Sequence, residues 1–429
     1  MPNRDPVFLP ADILLPGEET DLSRWAVLAC DQFTSQPDYW QKADTLVADA
    51  PSTLRITLPE VYLEEPDIDG RIAAIHLAMA DYRAGVLSRQ VPGFVYLERQ
   101  TSTGVRQGLV GCVDLEAYSY QPDTAPRIRP SEGTLVERIP PRLAVRRGAV
   151  LESPHILMLI DDPDARVIEP LGSMKDQLTM LYDTQLMLGG GRLQGWAVQG
   201  EPEIFAVQAA IAALEDAERF RSCYGVGEDE TPFALAVGDG NHSLATAKAA
   251  WEEMKPGLDE KMRKAHPARY CLVELINVQS PAVDIEPIHR VVFGAGDDIK
   301  TFAEKFAEEA GGKIVPDGQG EQAFTVLRAG RESTVSLLNP WRPLAAGAVD
   351  AILDSYLQSH PGARVDYVHG EDAVRQLVAG QDAVGILLPT LKKSDLFRGV
   401  ALGGVLPRKT FSMGHATDKR YYMECRAIV

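Results

Sequence analysis

Phe233-Ala-Leu-Ala-Val-Gly-Asp-Gly-Asn-His-Ser-Leu-Ala-Thr-Ala-Lys248 runs from an apolar stretch through a Gly-Asp-Gly turn into a segment of helical composition. This order predicts a buried strand, a tight turn and a helix opening near residue 242, with Asp239, Asn241, His242 and Ser243 crowded at the joint. Gly238 and Gly240 permit positive φ and let backbone N–H groups approach a ligand. A helix start presents unpaired donors and a partial positive charge at the same point, so a phosphate or carboxylate suits the joint. The competing reading is a plain strand-to-helix turn in which Asp239 or Asn241 caps the helix and His242 only packs.

Outward from the joint, apolar periods alternate between two and 3.6, which predicts a mixed α/β (α+β) protein. Strands are expected at Leu22 to Cys30, Phe94 to Glu98, Gly108 to Asp114, Pro154 to Asp161, around Trp196, at Gln322 to Leu327 and at Ser333 to Leu338. Helices are expected at Asp67 to Ala84, Pro202 to Tyr224 and Ile299 to Ala310, and at Lys175 to Leu188, where Gly189-Gly190-Gly191 would stop it. Thr34 or Ser35 is placed to cap a helix anchored by Tyr39 and Trp40.

With 429 residues the chain exceeds one ordinary core. The expected organisation is multi-lobed: an N-terminal α/β region over 1–125, a central mixed-sheet region over 126–295 holding the joint, and a smaller C-terminal α/β lobe over 296–429. Hydrophobic residues make up 45% and charged residues 24%, the balance of a folded globular chain. Sixty-one acidic residues against 43 basic ones give a formal net charge of −18, which disfavours nucleic acid and anionic membrane as partners. Cys30, Cys112, Cys223, Cys271 and Cys425 show no paired metal-ligand spacing and suit a reducing compartment, with no thiol chemistry expected. Residues 1–10 carry no export core, and no apolar run reaches the length of a membrane span. A cytoplasmic location is the expectation.

Several short motifs accompany the joint: Glu132 and Thr134 with Arg138 and Arg142, Pro287-Ile288-His289-Arg290, Tyr367-Val368-His369-Gly370, Leu388-Pro389-Thr390, and Leu406-Pro407-Arg408-Lys409-Thr410. Together with Gly238-Asp-Gly-Asn-His242, which is similar to an Asp-Gly-His-His-Arg hallmark, they make the chain resemble the domain of unknown function 1015 family over nearly its whole length. The hallmark's second histidine and arginine are His242 and Ser243 here, and a serine supplies neither the charge nor the fork of a guanidinium. A similar turn occurs in the ParB and sulfiredoxin superfamily, some members of which transfer phosphoryl groups to small molecules such as free serine.

The family resemblance supplies no function; the constellation at the joint, with the superfamily turn as analogy, suits a nucleotide- or phosphate-dependent transfer to a small, anionic or phosphorylated metabolite, with a nucleotide and Mg²⁺ as the cofactors to consider and a homodimer as the assembly to consider. In that scheme Asp239 is a metal holder or base, His242 a phosphate donor or acid/base, and Arg290 a charge clamp. Gly238, Gly240, Asn241, Ser243, Glu132, His289, Arg408 and Lys409 complete the candidate ligand-binding set. Two other functions compete: a metal-dependent hydrolase built on Asp239, His242, His289 and His369, and a non-catalytic sensor of a nucleotide or phosphometabolite. The bland roles also stay open. His289-Arg290 can serve a strand end or ion pair, Glu132 can belong to an ion cluster with Arg127, Arg129 and Arg138, and Arg408-Lys409 can be a charged turn.

Overall fold

A computed structural model describes residues 5–34, 36–121, 124–296, 298–328, 330–379, 382–407 and 409–429. The chain is mixed α/β and forms two compact units, Met1–Asp284 with Gly414–Val429, and Ile285–Met413.

The first unit is built on a 12-stranded mixed sheet. At its centre Arg89–Thr101 and Gly104–Asp114 form an antiparallel hairpin closed by the two residues Ser102 and Thr103. Their middle residues are buried on both faces, which is why they read as near-continuous apolar runs. Val95, Leu97 and Val110 face one core, with Trp25, Trp40, Ile75 and Met79 packed over them. Phe94, Tyr96 and Leu109 face the other, covered by Val207 and Ile211 from the helix Glu201–Leu214 and by Leu244 and Trp251 from the helix Asn241–Met254.

The strand order brings the predicted joint to a defined edge. Leu235–Asp239 runs parallel to Ile128–Pro130 and antiparallel to Leu157–Ile160, with an irregularity between Val237 and Asp239. The carboxyl ends of the first two strands and the amino end of the third therefore meet at one place. Ser131, Gly240 and His155 all lie there, on the side of an open α/β sheet where ligands are commonly bound. The bulge re-aims the chain just before the turn.

The carboxyl-terminal segment is threaded into this unit. Cys425–Ala427 pairs with Ala11–Leu15 and with Leu151–Glu152. Just before it, the fully buried Arg420 donates to Glu424 at 2.8 Å and approaches Glu274 at 3.4 Å. Arg99 donates to the carbonyls of Thr417, Asp418 and Lys419. Buried guanidinium groups of this kind must be paired to be tolerated, and pairing them fixes the backbone that carries Lys419 and Tyr422.

The second unit has a 7-stranded antiparallel sheet. Alternation splits its side chains cleanly: Val292, Phe324 and Ile386 pack with the helices Ile299–Glu309 and Ala345–Ser359, while Val291, Leu327 and Leu387 pack with Glu371–Ala379.

Four sequence expectations are corrected. Leu22 to Cys30 is not a strand: Asp21 accepts from Ser23 N at 3.1 Å and caps a short helix, Leu22–Trp25. The apolar run after it is buried in irregular form, with Val27 N bound to Thr53 Oγ1 and Cys30 N to the Tyr422 hydroxyl. Lys175 to Leu188 is not a helix either. Thr179–Gln185 is a strand paired with Arg192–Val198, and the glycines turn the hairpin, with Leu186 N bonded to Gly191 O at 2.8 Å. Pro202 to Tyr224 is two helices, because Asp216 caps a new start by accepting from Arg219 N at 2.9 Å. The helix Pro37–Val47 begins after Gln36 without a side-chain cap, so Thr34 does not cap it, and Ser35 lies outside the described residues.

Candidate functional site

The joint folds as a strand, Leu235–Asp239, a single left-handed residue, Gly240 at φ +79°, and the helix Asn241–Met254. The positive φ and the packing of Ile156 both demand glycine, since an added Cβ would sit 3.1 Å from Ile156 Cα. Gly240 is itself the N-cap, so no side chain caps the helix, and the first intrahelical bond is Leu244 N to Gly240 O at 3.0 Å. Neither Asp239 nor Asn241 performs the capping that the plain-turn reading required.

The polar groups around this start are held by the loop after Ile128–Pro130. Asn241 Nδ2 donates to Ser131 Oγ at 3.5 Å, and Leu135 N donates to His242 Nε2 at 3.3 Å. Glu132 lies in the same loop. Because His242 Nε2 is an acceptor, the neutral ring carries its proton on Nδ1. Burial, aided by Arg142 and Arg138, pushes the His242 pKa down to about 4, so the ring is neutral at pH 7.

Asp239 Oδ2 and Asn241 Oδ1 are buried oxygens without a hydrogen-bond partner in the described structure. Lys419 Nζ stands 3.6 Å from Asp239 Oδ2, at ion-pair rather than hydrogen-bond distance. Buried acceptors of this kind are uncommon and costly, and they mark a place where a further group completes the bonding.

Beside the joint is a cluster whose members are far apart in sequence. His155, 3% exposed, directs Nδ1 to the Tyr422 hydroxyl at 2.6 Å and Nε2 to Asp31 Oδ2 at 3.2 Å, with Ser243 Oγ 3.4 Å from Nε2. Cys30 Sγ is 4.0 Å from Nδ1. Burial opposes charge on His155, yet the Asp31 carboxylate outweighs it and holds the imidazole pKa well above its usual value. His155 in turn keeps Asp31 well below the ordinary carboxylate range. A cavity of about 140 Å³ adjoins the cluster, bounded by His155, Ser243, Thr246, Cys30, Tyr422 and Arg142.

The remaining candidates belong to the Ile285–Met413 unit. His289 is buried, and its Nδ1 accepts from Leu388 N at 3.1 Å; burial lowers its pKa, favouring the neutral ring. Arg290 is fully buried and committed. Its guanidinium makes a two-pronged pair with Asp350 at 2.8 and 2.9 Å and donates to Ile288 O and, at 2.9 Å, to Lys409 O. None of its surface is left to solvent, so the clamp role expected of Arg290 would require it to give up contacts made here within its own unit. Lys409 adopts φ +53° and places Nζ 4.8 Å from the Tyr367 ring centre. Arg408 lies outside the described residues. Among the described residues no three His, Cys, Asp or Glu side chains gather as a metal site, and no helix is long and apolar enough to cross a membrane.

The family model for "Protein of unknown function (DUF1015)" matches residues 12–367. The chain belongs to the DUF1015 family. Among curated proteins none matches the sequence. Solved structures similar to this DUF1015 protein include a free serine kinase in complex with AMP, at 11% identity and TM-score 0.37, covering 72% of this chain and 89% of that one. A conserved hypothetical protein from Pyrococcus furiosus aligns at 12% identity and TM-score 0.33, over 73% and 90% of the two chains. SbnI from Staphylococcus aureus, truncated at its C-terminus, aligns at 10% identity and TM-score 0.35, over 71% and 82%.

Asp31, His155, Lys419 and Tyr422 were not found from sequence. Cys30 and His155 are 125 residues apart and His155 and Tyr422 267 apart, so no local spacing announces them. A usable signal was the Cys30-Asp31 pair at the end of an apolar run, a polar start to an otherwise buried segment.

Proposed function

We propose that this DUF1015 protein is a nucleotide- or phosphate-dependent phosphotransferase acting on a small metabolite, with the 238–243 joint as its phosphate-binding element. The observation that carries this reading is the pairing of an uncapped helix start with buried, unsatisfied Asp239 Oδ2 and Asn241 Oδ1 and the nearby Lys419 ammonium. First-turn N–H groups and a lysine receive phosphate oxygens, while a carboxylate oxygen waiting for a partner fits Mg²⁺ or the proton of an attacking hydroxyl. When bound, Mg²⁺ would supply charge neutralisation on the phosphate, and Asp239 is the residue fitted to hold it.

The chain's own residues divide the remaining work. His242, neutral with its proton on Nδ1, offers a donor to a phosphate oxygen without adding charge. Lys419 offsets negative charge at Asp239 and at the incoming phosphate. The roughly 140 Å³ cavity beside Ser243 is the right size for a small acceptor rather than a polymer.

The test is turnover. Purified protein incubated with ATP, Mg²⁺ and pools of small hydroxylated metabolites is expected to release ADP or AMP only with certain acceptors. Nucleotide binding and thermal stabilisation with no product from any pool would instead establish the sensor.

A further inference from the structure

The Ile285–Met413 unit contains a second, larger cavity of about 790 Å³ that the phosphotransfer reading does not use. Two of the family motifs reach its wall, Leu388-Pro389-Thr390 and, through Thr410, the Leu406–Thr410 segment. In a protein that is acidic overall its lining carries a small excess of positive charge, Arg342, Lys392 and Arg398 against the carboxylates of Glu321 and Asp395.

Two helices begin at this wall. Ala345–Ser359 follows Leu344, and Lys393–Gly403 follows Lys392; neither N-cap side chain bonds the first turn. Ala345 and Ala346 line the cavity at the first turn, and the first intrahelical bond is Ala348 N to Leu344 O at 3.1 Å, so the N–H groups before it lie outside the helix ladder. On the second helix Asp395, Arg398, Gly399 and Leu402 fall at i, i+3, i+4 and i+7, so one face of it fronts the cavity.

Trp341 and Gln322 form part of the wall and hold its shape. Trp341 Nε1, a donor, and Gln322 Oε1, an acceptor, are both buried without a partner, and both residues line the cavity. Gln322 cannot turn to satisfy itself, because its Nε2 is already given to Arg342 O at 2.8 Å. Trp341, Leu344, Leu388 and Leu391 make the remainder of the lining apolar.

We propose that this cavity binds an organic phosphate with a flat ring, its phosphate at Arg342, Lys392 and the two helix starts and its ring among Trp341 and the leucines. A volume of about 790 Å³ lies within the range of sites that enclose metabolite-sized ligands. Cationic side chains and the helix starts select the anion, and the apolar wall with its indole selects a flat ring. The site is independent of the joint at 238–243, which lies in the other unit.

The experiment is hydrogen–deuterium exchange on the full chain with ADP, inorganic pyrophosphate and adenosine as separate probes, followed by calorimetry on variants at fixed salt. ADP is expected to protect peptides spanning 340–347 and 388–396, pyrophosphate to protect them less, and adenosine hardly at all. Arg342→Gln and Lys392→Gln should each weaken ADP at this site about tenfold, close to 1.4 kcal/mol. Asp239→Asn should leave that protection unchanged, which separates this site from the joint. Protection absent from both segments with ADP, or ADP affinity here indifferent to both substitutions, overturns the proposal. The exchange map of the unmodified protein stands whether or not a variant folds.

Discussion

His155 Nε2 lies 3.2 Å from Asp31 Oδ2, and this contact makes the imidazole a cation at neutral pH inside the first unit. The sign of its effect on stability follows. Folding raises His155 above its usual 6.5, so its contribution is whole below that value and is lost as pH climbs through the raised pKa. Folding lowers Asp31 below its usual 3.8, so its contribution is whole above that value and is lost only as pH falls through the depressed pKa. The pair therefore stabilises most between about pH 4 and 6.5 and weakens on the alkaline side. Denaturant melts of the native protein and of His155→Gln across this range should converge at high pH. The variant should be less stable by about 3 kcal/mol at pH 6, since it leaves a partly buried carboxylate without its partner. A gap independent of pH would contradict the charged pair.

Gly240→Ala tests the turn. The substitution forces a left-handed alanine and brings Cβ to 3.1 Å from Ile156 Cα and 3.2 Å from Ile156 Cγ1. Destabilisation of about 1–3 kcal/mol is expected in thermal melts, together with loss of phosphate-dependent stabilisation. A fully native melt would mean that the turn relaxes freely.

Much of this arrangement was legible in the sequence where structure is local. The Phe233–Lys248 run gave strand, turn and helix because alternation, glycines and helical spacing all act within a few residues of one another. Asp67 to Ala84 read as a helix for the same reason. Leu22 to Cys30 misled because an apolar run says that a segment is buried, not that its backbone is paired along its length; here pairing is confined to a single bridge of Leu28 with Tyr421, and the Thr53 and Tyr422 side chains take the N–H groups of Val27 and Cys30. At the site, Asp239 and His242 announced themselves through the glycines, whereas Lys419 and His155 are delivered by the buried Arg99 and Arg420 anchors and by sheet order. Those contacts leave no periodic trace.

Arg290→Ala should unfold the second unit rather than disarm a site. The substitution removes both contacts to Asp350, leaving a carboxylate that is 20% exposed, and deprives the carbonyls of Ile288 and Lys409 of their donor. A loss of about 3–5 kcal/mol is expected in chemical denaturation. Lysine at this position should recover only part of it, having no planar fork to meet Asp350. Unchanged stability with lost ligand binding would return Arg290 to the role of clamp.

Asp239→Asn separates chemistry from packing. The residue sits at the end of a strand on a turn, and its Oδ2 has no hydrogen bond to lose. The melt should therefore shift by about 1 kcal/mol or less, with phosphate- or nucleotide-dependent stabilisation abolished. Removing the charge also ends the contact with Lys419, so bare phosphate without Mg²⁺ is the informative control. Retained nucleotide stabilisation in this variant would dismiss Asp239 from the site.

Ser243→Arg reads the departure from the family hallmark. Ser243 Oγ is 3.4 Å from His155 Nε2, and the residue borders the cavity of about 140 Å³. A guanidinium there meets a second cation, because His155 is held protonated by Asp31. It also fills space that the proposed acceptor needs. The arginine would compete with His155 for Asp31 and lower the imidazole pKa, a change that an NMR titration of the ring can follow. Phosphate or nucleotide binding is expected to weaken about tenfold, or roughly 1.4 kcal/mol, in calorimetry at fixed salt. In a protein whose site had merely lost its arginine, the same substitution would tighten binding. The two readings thus differ in sign, and a tighter complex would show that the site had merely lost its arginine.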